Sequence, residues 1–458
     1  MDKPSRSSFI LHLSSFIFLF LSACAPVVET ATSPTSTPEA DAGPSPTADP
    51  VSSLGVEADA LDGVTVTVWH PWFGPEASLL ETQAAEFNTT NEWGITVLTA
   101  GQGNYTELFN NVTAALVGVE QPDLVIALPE HALFWREQDG VVDLTPYVND
   151  PLWGLAESES ISPALWAQDK VNGVILGAPA QRSARFLFYN QTWARELGFD
   201  APPAAPDKFR EQACAANQSF RKNEEPSDDG FGGWYVDTQT MTALSWMLAF
   251  GDGPLQESGF RFLKPDNLEA MRFVKTLAED GCAWQSAEAD PFDEFAARRA
   301  LFATGSLEDL PAQSRAFTAL GSDDEWTVIP FPDETLVIYG SSFVLIPSTD
   351  EEQLAAWIFV RWMLSDANQA RWVKSTGLFP LRPSTFDLAA DYEATHPQWA
   401  EAVKLIPLGQ TYPQLTEWRT VKLILGDGFN FMFRVGTPSG QVPVILRQMD
   451  EAVADLRE

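Results

Sequence analysis

The interpretation of this chain starts from one segment, Val64-Thr65-Val66-Thr67-Val68-Trp69-His70-Pro71-Trp72-Phe73-Gly74. Its valines alternate with threonines, which is the period-two pattern of a β-strand with one buried face. Proline and glycine then end the strand, and large aromatic rings stand where a small polar turn is usual. A cluster of exposed rings usually marks a surface that something covers. We therefore predict that Trp72 lies on the wall of a cleft, whereas Trp69 could lie on that wall or in the core.

The composition of the whole chain excludes several classes of protein. Its 458 residues suit two or three domains, and a hydrophobic content of 45% is normal for a protein with packed cores. It has 28 Lys and Arg against 63 Asp and Glu, which gives a formal net charge of −35. Binding to nucleic acid needs a basic face, and wide contact with anionic lipid needs cations. The charge therefore argues against both kinds of partner.

Residues 1–24 have the pattern of a secretory signal peptide. Lys3 and Arg6 precede an apolar run over residues 9–21, which is too short to span a membrane comfortably. The run ends in Leu21-Ser22-Ala23-Cys24, which resembles the bacterial lipobox. The resemblance implies cleavage before Cys24 and lipidation of its thiol, so we expect an extracytoplasmic protein held on the cell membrane by an acyl anchor. The alternative is an ordinary secretory peptide with a chance cysteine.

The composition of residues 25–61 predicts a disordered tether between this anchor and the folded body. Proline, serine, threonine, alanine and acidic residues dominate the segment, and large apolar residues are almost absent before Leu54. Such a composition cannot bury enough apolar surface to offset the entropy lost on ordering. The tether would hold the body near the membrane and leave it free to turn.

The first part of the body has the order β-α-β-α-β. A second strand is predicted over residues 95–98, and a near-continuous apolar run over residues 124–128 predicts a strand that is buried on both faces. This order indicates a parallel sheet covered by helices, in which ligands bind beyond the carboxyl ends of the strands. Those ends are residues 69–73, 101–105 and 129–131.

Further segments give the chain a recognisable resemblance. They are residues 64–69 with the following helix, 121–125, 140–147, 177–179 with 189–190, and 355–383. In this order, behind a lipobox and a tether, they make the chain resemble the family 1 extracellular solute-binding proteins, which are receptors of ABC importers for sugars and related solutes. The chain departs from the family at residues 302–306, which lack the usual Gly-Lys-Ala-Ala-Met continuation, so a ligand contact by that loop is left open.

The resemblance implies a two-lobed α/β fold of the periplasmic-binding-protein type, with a ligand cleft between the lobes. Lobe 1 is expected to hold residues 62–182 and 341–378, and lobe 2 residues 183–340 and 379–458. A strand-glycine-strand pattern over residues 337–346 supports a hinge there independently. The implied mechanism is capture: the open form binds solute, the lobes close, and the closed monomer docks on the transmembrane subunits of a permease.

The candidate binding residues combine aromatic rings with carboxylate, hydroxyl and guanidinium groups. Rings stack on the C–H faces of sugars, while carboxylates and arginine hydrogen-bond sugar hydroxyls. This chemistry predicts a carbohydrate or oligosaccharide ligand. The residues predicted to line the cleft are Trp69, His70, Trp72, Phe73, Glu130, Trp234, Tyr235, Asp237, Tyr339, Ser341, Ser342 and Arg382.

The cysteine count predicts one disulfide bond. With Cys24 lipidated, Cys214 and Cys282 remain. Outside the cytoplasm, two thiols in one domain are usually oxidised, so we predict that they pair with each other. The alternative is two buried free thiols.

Motifs of catalysis are lacking in the sequence. It contains no His-Glu-x-x-His metal motif, no Gly-x-Ser-x-Gly nucleophile elbow, and no complete dinucleotide or Walker fingerprint. We therefore expect a binding protein without enzymatic activity, cofactor or metal. Two alternatives stay open: a receptor of the same fold for a polyamine, an iron chelate or a phosphodiester, and an extracytoplasmic glycan hydrolase.

Overall fold

The computed structural model describes residues 51–118, 120–156, 161–285 and 291–456. The predicted signal peptide, the lipobox cysteine Cys24 and most of the predicted tether lie outside these residues. In the described part of the chain, no helix has the length and apolar character needed to cross a membrane.

The strands of the described residues are short. In chain order they are β1 (Thr65–His70), β2 (Thr96–Gly101), β3 (Leu124–Ala127), β4 (Lys170–Val171), β5 (Val174–Ile175), β6 (Ala178–Pro179), β7 (Ser183–Ala184), β8 (Phe186–Asn190), β9 (Trp234–Tyr235), β10 (Leu255–Gln256), β11 (Gly259–Phe260), β12 (Ala283–Trp284), β13 (Phe302–Gly305), β14 (Trp326–Ile329), β15 (Leu336–Tyr339), β16 (Ser342–Leu345) and β17 (Gly409–Thr411).

Helices connect and cover these strands. In chain order they are α1 (Gly74–Thr90), α2 (Tyr105–Ala115), α3 (Pro129–Arg136), α4 (Thr145–Val148), α5 (Pro163–Trp166), α6 (Gln191–Glu196), α7 (Pro206–Arg221), α8 (Thr240–Leu248), α9 (Pro265–Glu279), α10 (Phe292–Ala296), α11 (Leu310–Leu320), α12 (Asp350–Met363), α13 (Asp366–Thr376), α14 (Pro383–Leu388), α15 (Ala390–Thr395), α16 (Pro397–Lys404), α17 (Trp418–Met432) and α18 (Val442–Asp455).

Two five-stranded sheets organise the body. The first has the order β2-β1-β3-β16-β6, with β1 parallel to both β2 and β3 and with β16 antiparallel to β3. The second has the order β12-β9-β13-β8-β14. This confirms the predicted two-lobed α/β architecture, while the residue bounds assigned to each lobe remain a prediction.

A third sheet lies where the chain passes between the other two. Its order is β17-β15-β7. Strand β7 follows β6 of the first sheet and precedes β8 of the second, and β15 follows β14 of the second sheet and precedes β16 of the first. Two crossing segments therefore run side by side, joined by the antiparallel pairing of Ile338 with Ala184 and of Tyr339 with Ser183.

The opening strand forms as its sequence predicts. In β1 the side chains of Val66 and Val68 are fully buried, and α1 packs on that face through the buried Leu80 and Phe87. All four residues of β3 are buried, as expected for an apolar run that is covered on both faces.

The prediction that the disordered tether extends to residue 61 is wrong. The backbone N–H of Ser53 donates to Oδ2 of Asp150 at 2.7 Å, and the hydroxyl of Ser52 donates to the same oxygen at 3.0 Å. Leu54 and Val56 pack against the core, and a short 3-10 helix over Ala58–Leu61 ends in the fully buried Leu61. These apolar contacts offset the ordering entropy, so residues 51–61 belong to the body.

The predicted disulfide is present. Cys214 of α7 is bonded to Cys282, which lies between α9 and β12. The bond ties α7 to the segment that leads into β12 of the second sheet.

Candidate functional site

The two crossing segments are held together by a buried arginine. The Arg182 side chain is fully buried and forms an ion pair with Asp169. Its Nε donates to the backbone carbonyl of Leu165 at 2.7 Å, and its Nη2 donates to the hydroxyl of Ser342 at 3.0 Å. Because the hydroxyl of Ser342 in turn donates to Asp169 at 2.5 Å, it is not available to a ligand, which corrects its prediction as a binding residue.

Gly340 lets the two segments approach each other closely. Its φ of 155° lies in a region that residues with a side chain rarely adopt. A Cβ placed there would lie 2.1 Å from the carbonyl oxygen of Gln181 in the other segment. Glycine is therefore required at the predicted hinge for a steric reason.

A group of unsatisfied polar atoms lies beside these segments. Within the described residues, Nε1 of Trp72, Oε1 of Gln181 and Oγ of Ser341 are buried without a hydrogen-bond partner. All three side chains converge on the hydroxyl of Tyr105, although none of these atoms forms a hydrogen bond of good geometry. Burial raises the pKa of Tyr105, and hydrogen bonding with Ser341, Trp72 and Gln181 opposes the shift. We call these four residues the Tyr105 cluster.

The buried polar groups of the Tyr105 cluster are candidates for contact with a solute. Buried polar atoms are almost always hydrogen-bonded, and each unsatisfied one costs about 1–3 kcal/mol. The cluster combines an indole N–H donor, an amide acceptor and two hydroxyl groups that can do both. It also spans the fold, because Trp72 and Tyr105 follow strands β1 and β2 whereas Gln181 and Ser341 belong to the crossing segments. A hydroxylated solute could satisfy all of these atoms at once.

A carboxylate and a second tyrosine lie next to the cluster. The hydroxyl of Ser183 donates to Oε2 of Glu308 at 2.6 Å. Burial raises the pKa of Tyr339, and the charge of Glu308 raises it further, as it does that of Tyr105. Glu308 is therefore near both tyrosines, and none of the ion pairs among the described residues neutralises it.

The arginine whose charge acts on Tyr339 is Arg185 and not Arg382. Arg185 forms an ion pair with Asp237 and approaches Oδ2 of Asp309 at 3.8 Å. Arg382 is buried, donates to the carbonyl of Leu364 and lies near Asp366, so it supports the end of α12. Its predicted role as a binding residue is therefore corrected, whereas the carboxylate of Asp237 is engaged by Arg185.

Trp234 and Tyr235 lie in the core of the second sheet. Trp234 is fully buried, and its Nε1 donates to the hydroxyl of Thr304 at 2.9 Å. Tyr235 is buried with its ring edge-on to Trp284, at a centroid distance of 5.0 Å. Both were predicted to line the cleft from a glycine-rich loop. The structure corrects this, because β9 directs these rings into packed positions.

The aromatic residues that follow β1 have different environments. Trp69 is partly buried against the core, and His70 is buried. Trp72 is only 7% exposed and packs on Trp372 at a centroid distance of 4.8 Å, so its ring is less open than predicted although its Nε1 belongs to the Tyr105 cluster. Phe73 is 66% exposed at the start of α1.

Glu130 lies at the beginning of α3, beyond β3, and is fully engaged by other side chains. Its Oε1 accepts a hydrogen bond from Nζ of Lys422 at 2.6 Å, and its Oε2 accepts one from the hydroxyl of Tyr412 at 2.9 Å. Burial alone would raise the pKa of Glu130, but the charge of Lys422 and the hydrogen bond from its ammonium bring the pKa below its ordinary value. Glu130 is therefore an ionised carboxylate next to the crossing segments.

The neighbouring His131 makes the stability depend on pH. Burial lowers its pKa from an ordinary 6.5 to about 4. The unfolded chain therefore binds a proton first as the pH falls. The loss of stability from this residue begins below pH 6.5, grows by about 1.4 kcal/mol per pH unit and levels off near pH 4 at roughly 3 kcal/mol. We expect His131→Asn to remove this part of the acid sensitivity.

Urea unfolding of both chains between pH 7 and pH 4 measures this effect. Carboxylates contribute to acid sensitivity in both chains, so the difference between the two pH profiles isolates His131. Parallel profiles would contradict the assignment.

Several residues of the site were not singled out from the sequence. Residues 101–105 were placed at the ligand-binding edge, but Tyr105 was not chosen among them. Nothing in the sequence distinguishes Glu308 from the other residues among 63 Asp and Glu. Lys422 and Tyr412 lie almost 300 residues from Glu130 in the sequence. No group of three or more His, Cys, Asp or Glu side chains that could hold a metal ion occurs in the described residues.

Residues 82–406 match the family model of bacterial extracellular solute-binding proteins, and the chain belongs to that family. This confirms the resemblance seen in the sequence.

Solved structures share the fold at low sequence identity. The sugar-binding protein MalE from Xanthomonas citri is 20% identical, with a TM-score of 0.72 over 86% of this chain and 98% of that one. The cyclic alpha-maltosyl-1,6-maltose binding protein from Arthrobacter globiformis is 18% identical, with a TM-score of 0.68 over 85% and 98%. UgpB from Mycobacterium tuberculosis, solved with glycerophosphocholine, is 17% identical, with a TM-score of 0.67 over 86% and 99%.

Proposed function

We propose that this protein is the substrate-binding component of an ABC importer and that it captures a carbohydrate or oligosaccharide at the Tyr105 cluster. The observation that carries the proposal is the convergence of the buried polar groups of Trp72, Gln181 and Ser341 on the Tyr105 hydroxyl. Sugars present several hydroxyl groups that both donate and accept, beside apolar C–H faces that suit aromatic rings. Of the solved structures with this fold, one is named a cyclic alpha-maltosyl-1,6-maltose binding protein and another a sugar-binding protein.

The remaining parts of the proposal follow from the family and the N-terminal sequence. The chain acts as a monomer, is exported by its signal peptide and is anchored through lipidated Cys24. It delivers solute to a permease in the membrane and carries out no covalent step. Lobe 1 comprises residues 62–182 and 341–378, and lobe 2 comprises 183–340 and 379–458. Of the residues predicted from the sequence, Trp72, Tyr339 and Ser341 stay in the proposed site.

Removing one hydroxyl group tests the site. We expect Tyr105→Phe to weaken binding of the cognate sugar by about 1–3 kcal/mol, because the ring is kept while a hydrogen bond in a buried site is lost. The cognate sugar is first found by a thermal-shift screen of mono- and oligosaccharides, since a bound ligand raises the melting temperature. Isothermal titration calorimetry then gives both affinities.

Tyr392→Phe is the matched control. Tyr392 lies on α15 against His396, away from the cluster, so removing its hydroxyl is expected to leave the affinity unchanged. An equal affinity of the Tyr105→Phe variant and the wild type would refute the site.

A second candidate ligand is a polyamine. Glu308 lies near Tyr105 and Tyr339, and the ion pairs of the described residues leave its charge uncompensated. A cationic solute would neutralise it. The same thermal-shift screen decides between the two ligands, because a shift with spermidine and none with any sugar favours the polyamine.

A further inference from the structure

The segment over residues 412–422 reaches across the fold. Besides the two bonds to Glu130, the hydroxyl of Thr416 donates to Oε1 of Glu137 at 2.6 Å. The guanidinium of Arg419 lies over the ring of Phe109 at 4.3 Å from the centroid. Nε2 of Gln414 donates to the carbonyl of Ala167 at 2.8 Å. Hydrogen bonds, an ion pair and a cation–π contact thus all join this segment to residues 109–167.

The two sides of these contacts belong to different halves of the molecule. Phe109 and Trp135, from α2 and α3, pack in one core with Val125 of β3 and Val344 of β16, which are strands of the first sheet. On the other side, α17 buries Val421, Leu425 and Phe429 in a core that it shares with Trp234 and Phe302 of the second sheet. The first turn of α17 is therefore built on one half and bonded to the other.

We propose that the N-terminal end of α17 is a latch, in which Lys422 and Arg419 hold the two halves together whether or not solute is bound. The contacts are supplied entirely by the chain itself. A ligand-free protein with such contacts populates the closed state more than one whose closure depends on solute alone. The inference rests on the two-lobed fold and is independent of which ligand is bound.

The chemistry of the latch favours reversible closing. The Glu130 side chain is 3% exposed, and the Lys422 side chain is 27% exposed. When the halves separate, water can solvate both charges, so the pair can break without leaving an unpaired charge in the core. Replacing only Lys422 with a neutral residue destabilises the closed state, because Glu130 stays buried there without its cation. The closed state should then be strongly disfavoured.

The distance between the two halves in the ligand-free full chain tests the latch. Spin labels are placed at Ser78→Cys on α1 and Arg272→Cys on α9, two exposed positions on different halves, with the Cys214–Cys282 disulfide left intact. Double electron–electron resonance then measures the populations of short and long distances between the two labels. We expect Lys422→Met to lower the ratio of closed to open molecules by about tenfold or more. We expect Lys422→Arg to restore most of it.

Two further variants make the result decisive. Lys404→Met is the matched control, since Lys404 pairs with Glu401 on the surface of α16 and contacts neither side of the latch. Arg419→Gln removes the cation over Phe109 and is expected to shift the ratio in the same direction as Lys422→Met. It also tests the latch if Lys422→Met fails to fold. An unchanged distance distribution in the folded latch variants, or an equal change in Lys404→Met, would overturn the proposal.

Discussion

Arg182→Met is expected to lower the free energy of unfolding by about 3–5 kcal/mol, which is the cost of breaking a buried ion pair by removing one partner. Arg182 and Asp169 are both almost completely buried. The substitution leaves the carboxylate of Asp169 without its cation, and it also removes the hydrogen bond from Nε of Arg182 to the carbonyl of Leu165. Urea unfolding followed by tryptophan fluorescence gives the free energy.

A surface pair and a double variant show whether burial is the cause. Arg195→Met breaks the exposed pair with Glu325 and is expected to cost less than about 1 kcal/mol. Arg182→Met combined with Asp169→Leu is expected to recover part of the loss, because no unpaired charge is then buried. If Arg182→Met cost no more than Arg195→Met, the central role of Arg182 would be refuted.

Cys214→Ala combined with Cys282→Ala is expected to destabilise the protein by about 4 kcal/mol. The two cysteines are separated by 68 residues, and a crosslink over such a loop removes many conformations from the unfolded chain. Removing the bond restores those conformations and favours unfolding. Guanidinium unfolding with and without the substitutions measures the difference.

Reduction of the wild-type chain provides the control. Dithiothreitol is expected to lower the stability of the wild type by a similar amount and to leave the double variant unchanged. A double variant within 1 kcal/mol of the wild type would show that the crosslink contributes little. The entropic account would then fail for this loop.

Local sequence patterns predicted much of the fold. The alternation of valine and threonine placed β1, and the apolar run after residue 123 placed β3, because each pattern reflects the burial of neighbouring residues in one strand. The strand-glycine-strand pattern around Gly340 placed a crossing segment for the same reason. The disulfide followed from cysteine count and compartment.

The candidate site could be predicted only in part. The parallel pairing of β1 with β2 and β3 formed as predicted, so the carboxyl ends of these strands meet at one edge whatever the side chains are. That this edge binds ligand stays a prediction. Trp234, Ser342 and Arg382 were chosen for their chemical type, yet each is engaged by a partner distant in sequence: Thr304, Asp169 and Leu364 respectively. Tyr105 was passed over although its segment was identified.

The sequence alone determined the β-α-β-α-β order at the start of the body, the carboxyl end of β1 at residues 69–73 and the pairing of Cys214 with Cys282. These depend on periodicity, composition and count, which are properties of neighbouring residues or of the chain as a whole. Only the tertiary structure decided that Trp72 presents its N–H to Tyr105 and that Glu130 is bonded to Lys422. The availability of a polar group depends on which partners the fold brings to it, and those partners lie tens to hundreds of residues away.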